Sequence, residues 1–454
     1  TAGTGTVTFT GAVGGTLALG ATSITAASVV NSSTLVGSST YAVTGNATFS
    51  GAVSGITNLS VSGTTAINAN ITTTGTQAYT GAVTLGNAVI LSASGLTTGS
   101  TIAASSYNLT ITTDAIALGG NVSGTGALVI QPKTVSTTIG IGTDAINTLN
   151  LSDTELGYLV DGFSSITLGS TSGTGAIAVN YASSYSFTDP LTIRSLSGAI
   201  TASDTINTGT NSLTITSTGA VSLAGVTSGT LAVTGNGITL NNNITTSGTQ
   251  TYTGAVTLGG SVTVDSTGAA SAGNSISFSS TIDSNSAASA RSLTITAGTA
   301  NTTLSGVIGG TYALNILTIN GTSTLGANIT TAGAQNFVGN LVISGTDVSL
   351  SSMGNAGSGG AITFSGNIDG TTANANSLYI LSGTAEINVS GNVGNTTALN
   401  YFGLGGTGVL TAGSPVNQTF SYTGAVQTFV VPTGVTSITF DVYGAGAAGG
   451  SDGY

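Results

Sequence analysis

The sequence is organised around a stretch that it repeats. Residues 244–259 read ITTSGTQTYTGAVTLG, residues 71–86 read ITTTGTQAYTGAVTLG, and residues 329–343 form a looser copy. The core of this stretch, an aromatic residue followed by x-Gly-Ala-Val, also occurs at residues 9–13, 49–53 and 422–426. A unit that recurs in this way indicates a repeat architecture, in which each unit buries its apolar side against its neighbours.

The clearest tandem repeat lies in the second half of the chain. Gln250 matches Gln335, an offset of 85 in the numbering (335 − 250), and other matched positions keep nearly the same offset. The sequence therefore predicts two tandem modules, residues 244–328 and residues 329–413, and a partial copy near residues 45–126. We expect residues 1–413 to form one rod.

Between its glycines the chain alternates apolar and polar residues over short runs, as at Leu59/Val61 and Leu109/Ile111. Such alternation, rich in Val, Ile and Thr, predicts β-strands, and only residues 153–159 suggest a helix, of about two turns. Strands in a repeating chain predict an all-β parallel β-helix with coils of roughly 20–25 residues, about four per module. Gly and Asn, as at residues 241–243, suit its corners.

Charge is scarce in this chain. It has 3 Lys and Arg residues, 14 Asp and Glu residues, and no His or Cys, so that 4% of its residues are charged. An ordinary domain is about one quarter charged. Lys133, Arg194 and Arg291 are too few and too far apart to neutralise phosphates, which argues against nucleic acid as a partner. The lack of His and Cys excludes catalysis and disulfide bonds by these residues.

Neither end of the chain, nor any stretch within it, suggests a membrane segment. No apolar run approaches the roughly 18 residues that span a bilayer, so we expect no membrane insertion. The sequence begins at Thr1 without a Met or a signal-like segment, which predicts a processed product or a fragment.

A family resemblance begins at residues 127–142, which read ALVIQPKTVSTTIGIG, and continues in LSDTELGYLVDGFSSITLG at residues 151–169. FTDPLTI follows at residues 187–193. This order resembles the repeat regions of large bacterial exoproteins related to filamentous haemagglutinin, the two-partner-secreted and autotransporter-type adhesins. The resemblance implies a secreted, right-handed parallel β-helix at the bacterial cell surface.

Composition changes after residue 414, where Phe, Tyr and Pro become more frequent. Residues 427–431 and 437–443 read as two strands joined by a turn at Pro432, so residues 414–454 are predicted to form a small separate β module. Such a module can add a strand to the open edge of another copy. The predicted assembly contact consists of Phe420, Tyr422, Phe429, Val431, Phe440 and Tyr443.

Two sets of carboxylates are candidates for chemical sites. Asp153, Glu155 and Asp161 form the densest acidic cluster, and a sugar-cleaving enzyme would need such carboxylates as a pair. The alternative, a corner or short helix whose charges face water, fits the sequence better. Asp283 and Asp369 are equivalent in the two modules, but calcium requires six or more oxygen ligands. We therefore expect no catalytic residues, no metal site and no cofactor.

Pairs of Thr residues suggest one further ligand. Regular Thr arrays on a β-solenoid can order water and bind ice, but the pairs here are not spaced at one coil length, which counts against this hypothesis. The pairs are Thr6/Thr8, Thr110/Thr112, Thr214/Thr216 and Thr294/Thr296.

Together these features predict a secreted bacterial structural or adhesive surface protein that is not an enzyme. Its partners would be copies of itself, in extracellular fibres or a surface layer, and cell-surface glycans. The first alternative is a monomeric adhesin fragment that binds glycans or cells. A carbohydrate-active β-helix enzyme and an ice-binding solenoid are further alternatives.

Overall fold

The computed structural model is a parallel β-solenoid of about 20 turns, with 51% of its residues in strands and 1% in helix. It describes residues 1–412 apart from residues 38, 146, 269–271, 355–358 and 407–409. The all-β solenoid that the sequence predicts is thereby confirmed. The right-handed coil that the family resemblance implies, and the predicted module boundaries, stay predictions.

Most strands have three to five residues, and the longest continue around a corner. The first third of the chain forms β1 (Thr6–Phe9), β2 (Thr22–Asn31), β3 (Leu35–Val36), β4 (Tyr41–Phe49), β5 (Val53–Ile56), β6 (Leu59–Val61), β7 (Thr65–Ile67), β8 (Ile71–Thr73), β9 (Thr76–Tyr79), β10 (Val83–Leu85), β11 (Val89–Ser92), β12 (Gly95–Thr98), β13 (Ile102–Ser105), β14 (Leu109–Thr112), β15 (Ile116–Ala117), β16 (Val122–Gly124) and β17 (Ala127–Gln131).

The middle of the chain contains the single helix of the described residues. It forms β18 (Ile139–Ile141), β19 (Leu149–Leu151), α1 (Asp153–Leu156), β20 (Ser165–Gly169), β21 (Ile177–Val179), β22 (Leu191–Arg194), β23 (Ile200–Asn207), β24 (Leu213–Thr216), β25 (Ala220–Ser228), β26 (Leu231–Leu240), β27 (Ile244–Thr246), β28 (Gln250–Leu258) and β29 (Val262–Asp265).

The last described part returns to strands alone. It forms β30 (Ile276–Phe278), β31 (Ile282–Ser284), β32 (Leu293–Leu304), β33 (Leu317–Leu325), β34 (Ile329–Thr330), β35 (Gln335–Phe337), β36 (Leu341–Ile343), β37 (Asp347–Ser351), β38 (Ile362–Phe364), β39 (Ile368–Gly370), β40 (Ser377–Leu381), β41 (Ile387–Val389), β42 (Tyr401–Gly405) and β43 (Leu410–Ala412). Within the described residues, no helix is long and apolar enough to cross a membrane.

Each turn of the solenoid has three faces. We call face A the one that contains β6, face B the one that contains β7, and face C the one that contains β8. The next strand, β9, returns to face A, where Gln77 lies opposite Leu59, so this turn advances the numbering by 18 (77 − 59). Three short strands and three corners close this turn, whereas the turn from Gln250 to Ile276 advances the numbering by 26 (276 − 250), so the turns lie on both sides of the 20–25 residues expected from the sequence.

The inside of the solenoid is one hydrophobic core. In most of the three-residue strands the first and third residues point inward and the second outward, as in β6, where Leu59 and Val61 are buried. The inward side chains form a single cluster that extends from Ala26 to Phe402. Since neighbouring strands stack about 4.8 Å apart, about 20 turns give a rod of roughly 95 Å.

Asn side chains connect consecutive turns at several corners. Asn46 Oδ1 accepts a hydrogen bond from the Thr64 N–H at 2.9 Å, and Asn243 Oδ1 accepts one from the Thr263 N–H at 2.9 Å. Glycine fits at position 63, next to Thr64, because a Cβ there would overlap Asn46 Oδ1 and the main-chain carbonyl group of Gly45. The Asn and Gly corners that the sequence predicts around residues 241–243 thus have a specific cause.

The repeated stretch forms a buried, hydrogen-bonded pair of a Gln and a Tyr side chain, which we call the lock. Gln250 Nε2 donates to the Asp265 carbonyl at 2.7 Å, and the Tyr252 hydroxyl donates to Gln250 Oε1 at 2.7 Å. In the earlier copy Gln77 Nε2 donates to the Ser92 carbonyl at 2.9 Å, and Tyr79 donates to Gln77 Oε1 at 3.1 Å. The amide is therefore satisfied inside an apolar core, where an unpaired polar group is costly.

The three copies of this lock lie on three different faces. Gln77 stacks on Leu59 on face A. Gln250 stacks on Leu231 on face C, and Gln335 stacks on Leu317 on face B. The step from Gln250 to Gln335 is therefore three and two-thirds turns, close to the about four coils expected per module but not a whole number. The three faces accept the same sequence because each is built from the same strand and corner.

Candidate functional site

Acidic residues gather at one level of the solenoid, where the turn is widened. The turn from Ile130 to Leu168 is twice as long in sequence as the previous one, from Ile111 to Ile130. We call residues 152–163 and 180–190, at this level, the loop patch. In and around it lie six of the 14 Asp and Glu residues: Asp144, Asp153, Glu155, Asp161, Asp189 and Asp204.

Asp153, a residue of the predicted acidic cluster, holds two loops together. Its Oδ1 atom accepts the Thr143 N–H at 2.8 Å, and its Oδ2 atom accepts the N–H groups of Ala182 and Ser183, each at 3.0 Å. Burial raises the pKa of Asp153, but these hydrogen bonds lower it by more, so its pKa lies below the ordinary value. Both carboxylate oxygens thus bind main-chain N–H groups.

Glu155 caps the N-terminus of the helix, so its carboxylate is engaged within the chain. Its Oε2 atom accepts hydrogen bonds from the N–H and the hydroxyl of Ser152, at 2.9 and 2.7 Å, and so completes a capping box. Its Oε1 atom accepts the Leu118 N–H at 2.9 Å. The helix ends at Leu156, before Gly157, so it is one turn long rather than the two expected over residues 153–159.

Asp161 is exposed, and its acidic neighbour in space is Asp189. Asp189 is only 3% exposed, its Oδ1 atom accepts the Gly162 N–H at 2.9 Å, and its buried Oδ2 atom has no hydrogen-bond partner among the described residues. Burial and the charge of Asp161 raise the pKa of Asp189. Nothing in the sequence singles out Asp189, because it is distant from Asp161 along the chain and approaches it only from a neighbouring turn.

Three aromatic rings pack beside these carboxylates. The Tyr185 ring lies 6.2 Å from Tyr181 and 4.9 Å from Phe187, the latter edge-on. The Tyr185 hydroxyl donates to the Leu156 carbonyl at 2.6 Å, and burial raises the pKa of Tyr185 to about 12. The loop patch therefore presents a partly exposed aromatic and acidic surface on an otherwise Thr- and Ala-rich rod.

Asp283 and Asp369, the predicted equivalent pair, lie in β31 and β39 and have the same structural role, since each binds the N–H groups of a corner on the following turn. Asp283 Oδ1 accepts the N–H groups of Thr311 and Tyr312, at 2.8 and 3.2 Å. Asp369 Oδ1 accepts the N–H groups of residues 396 and 397, at 2.8 and 3.1 Å. Among the residues that the structure describes, no group of three or more His, Cys, Asp or Glu side chains could hold a metal ion.

The three cations are dispersed along the solenoid. Lys133 Nζ donates to the Thr73 carbonyl at 2.7 Å, and Arg291 Nε donates to Asn285 Oδ1 at 3.2 Å. Arg194 points outward from face C, opposite Thr216. No basic patch forms from these three residues.

The register aligns outward Thr residues that the sequence spaces unevenly. On face C, Thr167, Thr192, Thr214 and Ala232 are direct neighbours from one strand to the next. The intervals between them along the chain differ, because corners of different length lie between the strands. Uneven spacing is therefore no argument against a regular Thr array, and ice binding stays an untested prediction. The pairs at Thr6 and Thr294 lie on face B.

The predicted assembly contact falls on residues 414–454, which lie outside the described residues. The same holds for the copy of the aromatic motif at residues 422–426. No family model, curated protein or solved structure matches the chain. The resemblance to filamentous-haemagglutinin-like exoproteins therefore stays an expectation from sequence.

Proposed function

We propose that this chain is the structural shaft of a secreted bacterial surface protein, which holds an adhesive or assembly surface at a fixed distance and associates with copies of itself. The observation that carries the proposal is the single core from Ala26 to Phe402. Each turn contacts only its neighbours, so the shaft can be lengthened by adding turns without rearranging the others. Low charge allows the sides of such rods to approach one another.

A shaft without an active site is consistent with the roles of the carboxylates. Asp153 and Glu155 bind main-chain N–H groups, and Asp283 and Asp369 bind those of corners. The enzyme alternative would have to use Asp161 and Asp189. Replacing both with Asn and assaying cleavage of acidic and neutral polysaccharides tests it, since any activity that survives the change cannot come from this pair.

Small-angle scattering and negative-stain imaging of the purified chain test the shaft. We expect stiff rods of roughly 95 Å for the described part, because about 20 turns stack about 4.8 Å apart. Fibres at high concentration support self-assembly. A compact particle, or a flexible string of separate bodies, would contradict the proposal.

The loop patch supports a second candidate, the glycan-binding adhesin. Partly exposed Tyr158 and Tyr185 with exposed Asp161 offer rings for stacking and a carboxylate for hydroxyl groups. Tyr158→Ala with Asp161→Asn should abolish retention on a glycan array. Thr239→Ala with Thr257→Ala on face A is the matched control. Equal retention of both variants would remove the loop patch from consideration.

A further inference from the structure

Face C has an uninterrupted central column of small or β-branched, uncharged side chains. The column runs from Ile90 to Val342 in direct register over twelve strands, and its members are β-branched apart from Ala232 and Ser277. Ile90 is 42% exposed, and Thr251 is exposed as well. Along this whole length the side chains face outward, and no described strand of the same chain covers them.

The corresponding columns of the other two faces carry charge. On face A, Asp283 stands in the middle of its strand, opposite Thr257, and on face B, Asp265 stands at the end of its strand, opposite Thr245 in one direction and Thr296 in the other. The described strands of face C between Ile90 and Val342 carry one charged side chain, Arg194, at the edge of the face, and the column meets a charge only beyond Val342, at Asp369. Between the levels of Ile90 and Val342, face C is thus the side whose central column can meet another uncharged surface without desolvating a charge.

The area of this column is what a stable pair of rods requires. Twelve strands at about 4.8 Å extend for about 53 Å, and four residues at about 3.3 Å give a width of about 13 Å. The footprint is about 700 Å² for each copy, or about 1,400 Å² in total, within the range of specific interfaces. Columns of stacked β-branched side chains are also those that interdigitate between paired sheets.

We propose that face C is a docking surface for face C of a second copy of this chain, with the two rods antiparallel. The twofold axis lies between the levels of Thr214 and Ala232, so that Thr192 meets Thr251 of the other copy. This arrangement keeps the two Arg194 side chains three turns apart, about 14 Å, whereas parallel rods would bring them to the same level. The inference rests on the proposed self-associating shaft and names the surface that it uses.

Crosslinking tests the geometry, because the chain contains no Cys. Facing sheets lie about 10 Å apart, which a short bismaleimide spans and a disulfide does not. The variant with Thr192→Cys and Thr251→Cys should give covalent dimers, and each single variant should give few. Dimers from each single variant would show parallel rods, and an absence of dimers from the double variant would overturn the proposal.

Charge substitution tests the face. Thr214→Lys with Thr251→Lys places two cations on face C, and Ser222→Lys with Thr257→Lys places two on face A at the same two-turn spacing. Light scattering after size exclusion should show at least tenfold weaker dimerisation for the first variant and none of this loss for the second. Equal effects, or a wild-type chain that stays monomeric at tens of micromolar, would refute docking through face C.

Two controls separate this inference from its alternatives. Scattering from the monomeric lysine variant should still show the roughly 95 Å rod, so a failure of docking leaves the proposed shaft intact. A compact particle would contradict both the docking of face C and the proposed shaft. Circular dichroism reports whether the lysine variants remain β-folded. If the wild type stays monomeric and slows ice recrystallisation, and the face C lysines abolish that effect, face C binds water rather than a second copy and the proposal is wrong.

Discussion

The Gln and Tyr lock predicts that one substitution will stabilise the protein. In the third copy of the lock Phe337 replaces the tyrosine, and the buried Oε1 atom of Gln335 has no hydrogen-bond partner among the described residues. Phe337 stacks on Phe364 with centroids 5.1 Å apart and planes at 5°. Tyr252 stacks on Phe278 in the same way, at 4.5 Å and 5°. A hydroxyl added by Phe337→Tyr should therefore reach Gln335 Oε1.

The expected gain follows from the free energy of an unpaired buried acceptor. A net hydrogen bond contributes about 1 kcal/mol, and an orphaned buried group costs about 1–3 kcal/mol. We therefore expect Phe337→Tyr to stabilise its surroundings by about 1 kcal/mol, which corresponds to roughly fivefold slower local opening. Solenoids open locally, so amide hydrogen exchange of β35 and β36 is a better measure than a global melting temperature.

A matched control lies one turn away. Phe364→Tyr adds the same hydroxyl beside Ile362, which takes the place of Gln in this strand, while Gln335 lies one strand away; the hydroxyl should destabilise the core by about 1–3 kcal/mol. Tyr252→Phe should remove the bond to Gln250 and speed exchange in β28 about fivefold. If Phe337→Tyr and Phe364→Tyr have the same effect on exchange, the hydroxyl does not find Gln335 and the reasoning fails.

Three further predictions concern corners and pH. Gly63→Ala should cost about 2 kcal/mol, because its Cβ would overlap the main-chain carbonyl group of Gly45 as well as Asn46 Oδ1, whereas Gly237→Ala, which meets open space, should be nearly neutral in urea unfolding. Asn46→Ala should lose about 1 kcal/mol by leaving the N–H of residue 64 unpaired, and faster exchange of that amide would show it. Burial raises the pKa of Asp114, but hydrogen bonds from residues 133, 134 and 137 lower it below 3.8. Its stabilising effect is therefore full above about pH 4 and lost as the pH falls through the lowered pKa, so the stability difference between wild type and Asp114→Asn should shrink in acid.

The sequence determined the class of the fold through its periodicity. Alternation at Leu59 and Val61 decides which side chains point inward, since successive side chains of a strand face opposite sides. The Asn and Gly residues mark corners for the same local reason. Repetition of the Gln-containing stretch required equivalent surroundings at Gln77, Gln250 and Gln335, and all three amides do donate to main-chain carbonyls or to a Thr hydroxyl in the core.

Tertiary structure decided which strands become neighbours. The length of a turn depends on how its corners pack, and it doubles between the turn that ends at Ile130 and the turn that ends at Leu168. Alternation carries no information on that length. Register alone therefore placed the copies of the lock on three different faces, brought Asp161 close to Asp189, and aligned the unevenly spaced Thr residues of face C in one column.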